Sequence, residues 1–226
     1  MYIPAYFEVK DLDLLMGLIE DFPLATLIST QATGMEADLI PFFCELHPEQ
    51  GLSLKAHIAK SNPLYLALKQ NAHVLLVFQG ENAYISANNY ASKQQSHRVV
   101  PTWNYRVVQV KGKAALIEDE KWLRGLLARL TRKHEHAQPK PWKMSDAPAD
   151  FVQQNLAQIV GIELKIESIQ GKFKLNQNKS SADQLHVAQS LQDQGQLEMA
   201  RLIAANAQRV ATDSSTTNIV LNAASK

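Results

Sequence analysis

The sequence predicts a mainly β protein, a closed or partly closed antiparallel barrel with inserted helices. Six or seven short strand candidates are joined by turns rich in Gly, Pro and Asn. Four of them fall between residues 24 and 86 with one short helix among them. A doubly wound fold would need strands and helices in regular alternation. At 226 residues, 46% hydrophobic and 20% charged, the chain can bury a sizeable core and has an ordinary globular composition.

Taken in order, Asp11 to Asp21 reads as a helix: Asp11 can cap it, and Leu12, Leu15, Met16 and Ile19 recur at three- and four-residue spacing. Pro23 stops it, and Leu24 to Thr30 alternates as a strand. Gly34 marks a turn into a second apolar run, Glu36 to Leu46, where Pro41 suggests an edge or bulge. Gly51 leads to a strand over Leu52 to Ile58. Asn62-Pro63 opens a short helix to Gln70, asparagine as cap and proline in the first turn. His73 to Phe78 reads as a central strand, turned by Gly80-Glu81-Asn82 into Ala83 to Ser86, with a loop over Asn88 to His97.

Arg106 to Ile117 is strand again, with Gly112 as a bulge or bend. From about Asp119 to His134 runs a strong helix, its ridge made by Trp122, Leu126 and Leu130. Pro139, Pro141 and Pro148 stiffen a connector to a helix from Ala149 to Ile159, ended by Gly161. Ile162 to Ile169 and Lys172 to Leu175, split by Gly171, read as a hairpin. Two polar helices follow, Ser181 to Asp193 and Gln196 to Gln208, parted by Gly195. The expected organisation is a barrel domain over 1–180, a helical appendage over 181–209 and a disordered tail over 210–226.

The formal net charge of +1 gives no global drive toward nucleic acid or anionic membranes. No apolar run approaches the roughly 18–20 residues of a membrane span. The single cysteine, Cys44, lies in an apolar run and suits a reducing cytoplasm as a small buried hydrophobe. Neither G-x-G-x-x-G after a strand nor G-x-x-x-x-G-K-[ST] is present, and there is no G-x-S-x-G elbow. His134-Glu135-His136 places its histidines two apart on a helix, on different sides, and so is read as a solvated helix end rather than a metal site.

Three segments offer ligand chemistry. In Val100-Pro101-Thr102-Trp103-Asn104-Tyr105, an extended backbone puts Trp103 and Tyr105 on one face and Thr102 and Asn104 on the other. This is either a structural corner or a wall for a planar heteroaromatic ligand. In His57-Ile58-Ala59-Lys60-Ser61-Asn62-Pro63, a strand ends where a helix begins. Lys60, Ser61 and the free N–H groups could hold a phosphate, or Asn62 simply caps. In Gly171 to Lys179, Lys172 and Lys174 point one way and Phe173 the other, a pattern that also protects a strand edge.

With Met1-Tyr2-x-Pro4-x-x-Phe7, Gly34 to Pro41 and Tyr84-Ile85-Ser86, these segments resemble the FMN-binding negative transcriptional regulators. Those PaiB-like proteins are related to the pyridoxamine-phosphate-oxidase-like split barrels. The matches run in order from residue 1 to about 178. The resemblance implies a six-stranded antiparallel split β-barrel that forms a homodimer, with FMN at the subunit interface and the barrel domain spanning 1–180. It implies that His57, Lys60, Ser61 and Asn62 lie near the phosphate and that Thr102, Trp103, Asn104 and Tyr105 approach the isoalloxazine. It further implies Ser86 at the rim, and Lys172, Lys174, Gln177 and Asn178 reaching in from the partner. The chain departs from the family pattern at Ala87, Asn88 and Asn89, and at Gln109, where a histidine is common.

The function implied is a cytoplasmic regulator, a repressor of target genes that senses flavin, redox state or a small ligand. The alternative is a flavin-dependent oxidoreductase acting on a small metabolite, for which the residues name no acid or base. Direct DNA contact would have to use the one basic strip, Arg124, Arg129, Arg132, Lys133, Lys140 and Lys143.

Overall fold

Eight strands form the sheet in the computed structural model, which describes residues 1–208 apart from 32, 48 and 50. They are β1 (Glu8–Val9), β2 (Leu24–Gln31), β3 (Gly34–Pro41), β4 (Phe43–His47), β5 (Gly51–Ala59), β6 (His73–Ile85), β7 (Thr102–Ile117) and β8 (Ile159–Lys174). Their order is β3-β2-β6-β7-β8-β5-β4, with β1 on β8. The antiparallel register runs Leu24 opposite Pro41, Ala59 opposite Ile159 and Glu8 opposite Lys172. The helices are α1 (Leu12–Asp21), α2 (Leu64–Gln70), α3 (Lys93–Ser96), α4 (Glu120–Glu135), α5 (Ala149–Ala157) and α6 (Ser181–Asp193), followed by α7 over 197–208. The antiparallel class predicted from the turns is the one observed, with eight strands rather than six. The expected tail over 210–226 lies outside the described residues.

Local chemistry sets the ends. Asp11 Oδ1 accepts from Asp13 N at 2.9 Å, Asp119 Oδ1 from Trp122 N at 2.6 Å and Ser180 Oγ from Asp183 N at 3.2 Å. Each satisfies an N–H that the helix itself leaves open. The long run expected over 36–46 is two strands, broken at Phe42, whose N–H bonds to the Pro23 carbonyl at 2.9 Å while its ring is 1% exposed. The loop expected over 88–97 contains α3 and a single turn of 3₁₀ helix, Ala87–Asn89.

Three expected boundaries are absent. The chain does not turn at Gly80-Glu81-Asn82, and Gly161 does not end a helix. Nor does Gly171 split a hairpin: β6 and β8 are each continuous. What changes along β6 past Gly80, and along β8 before Gly171, is the side of the strand that is buried. In β6 the buried residues are Val74, Leu76 and Phe78, then Ala83 and Ile85; in β8 they are Val160, Ile162 and Leu164, then Phe173 and Leu175. Because side chains alternate with period two, a change from even to odd numbers moves the apolar set to the opposite face. In a sequence that shift looks like an interruption.

The chain forms two compact units, cut within β6, β7 and β8. The first comprises Met1–Lys10, Gln79–Val107 and the described residues from Gly171 onward; the second comprises Asp11–Phe78 and Val108–Gln170. The second unit buries Ile19, Leu27, Leu54, Leu76, Val110, Leu126 and Ile162 completely, and the Phe42 and Phe78 rings meet edge to face at 6.1 Å. The first buries Phe7, Ile85, Tyr90 and Phe173 together with Val187 and Leu191 of α6 and Met199 and Ile203 of α7. Both helices thus bury a narrow stripe, Val187, Ala188 and Leu191 on α6 and Met199, Ala200, Ile203 and Ala207 on α7, which their polar composition concealed.

Candidate functional site

In the first unit, the opening of β7 and the end of β8 bring cations to an aromatic face. Trp103 is 55% exposed and packs edge to face on Tyr84 at 5.8 Å, itself 49% exposed. Tyr105 lies two residues on; the Lys172 ammonium stands 5.3 Å from the centre of its ring and donates to the Tyr2 carbonyl at 3.2 Å. Lys174 donates to the Thr102 hydroxyl, and Lys179 stands 5.2 Å from the centre of the Tyr90 ring. These partners are all neutral. Glu8, directly across from Lys172, pairs with Lys10 at 3.3 Å. Burial, with Lys172 and Lys179 nearby, holds the Lys174 ammonium below its ordinary pKa, a pull that Tyr105 partly opposes.

Of the other predicted residues on this side, Ser86 and Gln177 are already committed. Asn104 is 0% exposed, so it sits beneath the wall rather than on it, and neither amide atom has a hydrogen-bond partner among the described residues. Ser86 caps the 3₁₀ turn by accepting from Asn88 N at 3.2 Å. Gln177 braces its own turn, accepting from Leu175 N at 2.7 Å and donating to the Phe173 carbonyl at 2.5 Å. Asn178 is exposed. Sequence reasoning missed Arg106, which pairs with Glu81 through its Nε at 2.6 Å and lies 5.4 Å from the Phe173 ring centre. No motif marks it; its charge inside a strand is the one clue.

His57, Lys60, Ser61 and Asn62 lie in the second unit. Asn62 Oδ1 accepts from Leu64 N at 2.8 Å, and its Nδ2 donates to Asp38 at 3.2 Å. The backbone of Lys60 bonds to the Gln158 carbonyl at 2.8 Å, and its charge helps hold the Glu118 carboxyl below the usual range, after the hydrogen bond from Tyr65. Ser61 is exposed. His57 pairs directly with Gly161 across the β5–β8 ladder, so both face the same side. It lines a cavity of about 360 Å³ whose walls carry no formally charged side chain, and neither Lys60 nor Ser61 belongs to that lining.

Burial pushes the His57 pKa below the ordinary histidine value. The folded state therefore binds fewer protons than the unfolded one just below the unfolded pKa of about 6.5. Stability due to this group is intact above that value and is lost as the pH falls through the lower folded one. Denaturant melts of the wild type and His57→Gln at pH 7 and pH 5 should show a smaller loss in the variant. Equal losses would mean that the ring titrates as it does in the unfolded chain.

Cys44 is buried, and burial together with Glu20 pushes its thiol up to about 11, which makes it a poor nucleophile. At the end of α4, His136 Nδ1 meets the Lys133 carbonyl at 2.7 Å and Glu135 accepts from Trp142 N at 2.9 Å. In the basic strip, Arg124 binds Glu120 at 2.8 Å and Gln153 at 2.7 Å, and Arg129 lies 5.6 Å from the Phe43 ring centre. No helix among the described residues is long and apolar enough to cross a membrane.

An antiparallel barrel of this topology, with helices inserted between its strands, has the split-barrel fold. The model of the family described as "Putative FMN-binding domain" matches residues 1–168, and the chain belongs to that family, whose cofactor is FMN. It is 29% identical over 194 residues to "Protease synthase and sporulation protein PAI 2" of Bacillus subtilis (strain 168), covering 86% of this chain and 90% of that one. It is 30% identical over 234 residues to "Uncharacterized protein AN0679" of Emericella nidulans, covering 86% and 92%. Among solved structures it is similar in fold to the FAD and heme binding protein from Mycobacterium smegmatis (TM-score 0.56, 19% identity, 74% of this chain and 73% of that one). It is also similar to the flavocytochrome Anf3 from Azotobacter vinelandii (TM-score 0.56, 16% identity, 76% and 72%).

The donor set in the first unit fits an FMN group. Three ammonium groups whose partners among the described residues are neutral call for an anion, and the exposed rings of Trp103 and Tyr84 offer a surface on which a flat ring can lie.

Proposed function

We propose that this chain is an FMN-binding regulator, acting in the cytoplasm as a homodimer and responding to flavin, its redox state or a small ligand. One observation carries the cofactor half: Lys172 stands over the Tyr105 ring, Lys174 donates to Thr102 at the head of the same strand with Lys172 and Lys179 near enough to depress its pKa, and these partners are neutral. In this reading Lys172 and Lys174 hold the anionic part of the cofactor. Trp103 and Tyr105 set the plane of its ring, and Asn104 supports the strand from beneath. Bound FMN would supply the redox chemistry; the protein's part is position and charge.

The regulatory half is supported by kinship with PAI 2, whose name ties it to protease synthesis and sporulation. The homodimer is supported by family likeness alone. The route proposed is indirect rather than through DNA, because Arg124 and Arg129 are engaged within the protein.

The test is an FMN titration of the purified protein. At a hundredfold excess over its dissociation constant, FMN should stabilise the fold by about 2.7 kcal/mol. For a chain of this size that raises the melting temperature by roughly 5–11 °C. Riboflavin, which lacks the phosphate, should give much less. No shift with FMN removes the cofactor half; an unchanged protease digest between oxidised and reduced FMN removes the redox-sensing one.

A further inference from the structure

We infer that the open cavity between α4, α5, the connector that joins them and the end of β5 binds a small, uncharged aromatic molecule carrying one amide or hydroxyl group, which His57 reads. Its lining shares no residue with the lysine-rich face, and the inference does not rest on the flavin reading.

Four observations within the second unit support this. The volume, about 360 Å³, is at the small end of the range for ligand pockets and suits a one- or two-ring molecule. None of the lining side chains carries a formal charge, so an ionised ligand would lose its hydration with no counter-charge to replace it. The mouth exposes two large rings that the fold itself leaves uncovered, Trp142 at 45% and Phe151 at 56%, while Leu127, Met144 and Leu156 make an apolar floor. Methionine and aromatic walls accept flat ligands of varied outline.

The fourth observation is the polar atom. Nδ1 of His57 is sealed off and makes no hydrogen bond, which leaves Nε2 as the atom the ring can offer to the cavity. Burial keeps the ring neutral near pH 7, so Nε2 can exchange one hydrogen bond with a neutral donor or acceptor. Directly opposite, Gly161 has no side chain, and Trp122 occupies the space that a side chain there would take. That ring closes the neighbouring position on the same face.

Quinolin-2-one, a planar neutral ring with one amide, is the probe, and quinoline-2-carboxylate is its charged counterpart. Calorimetry on the full chain should give a dissociation constant below millimolar for the first and binding at least about tenfold weaker for the second. His57→Phe fills the same space without the polar atom and should weaken the amide probe by about tenfold. Phe151→Ala changes an exposed residue, cannot plausibly unfold the protein, and should weaken the probe similarly while FMN binding stays unchanged. No heat at millimolar probe, equal affinity for the carboxylate, or indifference to both substitutions would overturn the assignment. So would a concentration-dependent dimer that Phe151→Ala abolishes, since the face would then be covered by a second copy.

Discussion

Exchanging Lys172 and Lys174 together for glutamate should weaken FMN binding at least a hundredfold. A charge-assisted hydrogen bond contributes about 1.5–3 kcal/mol, and every 1.4 kcal/mol is tenfold in affinity. Loss of two such contacts therefore corresponds to roughly a hundredfold or more, before the repulsion from the two new carboxylates is added. Lys174→Met provides the control for folding. Its ammonium is disfavoured by burial and by two neighbouring lysines, so removing it should leave the melting temperature of the cofactor-free protein unchanged or higher while FMN binding falls. A lysine kept for stability alone would show the reverse: a lower melting temperature and unaltered affinity. Titrations followed by flavin fluorescence, paired with melts without flavin, separate the two.

A methyl group at Gly161 should cost about 3 kcal/mol of stability. An ideal Cβ there would stand 2.2 Å from Cζ3 and 2.8 Å from Cε3 of Trp122. Real atoms never approach so closely, and Trp122 belongs to the face of α4 that also carries the wholly buried Leu126. Overpacking of this kind typically costs about 1–3 kcal/mol, with larger values where a rigid ring must move. For a chain of this length the melting temperature should fall by roughly 6–12 °C. Gly161→Ala combined with Trp122→Leu should recover part of the loss, because the atoms in conflict are gone. If the single variant melts like the wild type, or the double variant is as unstable as the sum of its parts, the close packing of strand on helix is not what requires glycine.

Much of the fold could be read before the structure, for identifiable reasons. Helices announce themselves through a cap or an apolar ridge: Asp11 caps α1, the Trp122, Leu126 and Leu130 ridge marks α4, and α6 spans the range expected of it. Strand ends are harder. The breaks placed at Gly80 and Gly171 mark a reversal of burial, which one chain of letters cannot distinguish from a turn. Gly161 was assigned to a helix end because glycine often serves there; its actual duty, leaving room for Trp122, depends on a partner 39 positions away.

The candidate site shows the same division. The kinds of group needed for an anionic, ring-bearing ligand were visible as Trp103, Tyr105, Lys172 and Lys174. Which polar atoms are already spent was not. Ser86 and Gln177 satisfy their own turns, Asn62 meets Asp38, and Asn104 lies wholly inside. Those facts follow from tertiary partners, and no local pattern encodes them.

The reversal of burial along β6 and β8 also sets what kind of change these strands can absorb. Each half is keyed by odd or even number, so shortening the segment beyond the reversal by one residue would present Tyr84 to the interior and Ile85 to water. Removing two would keep the parity. Drift in length at these points therefore proceeds in steps of two or not at all, and the crossover behaves as a gauge that the rest of the barrel reads.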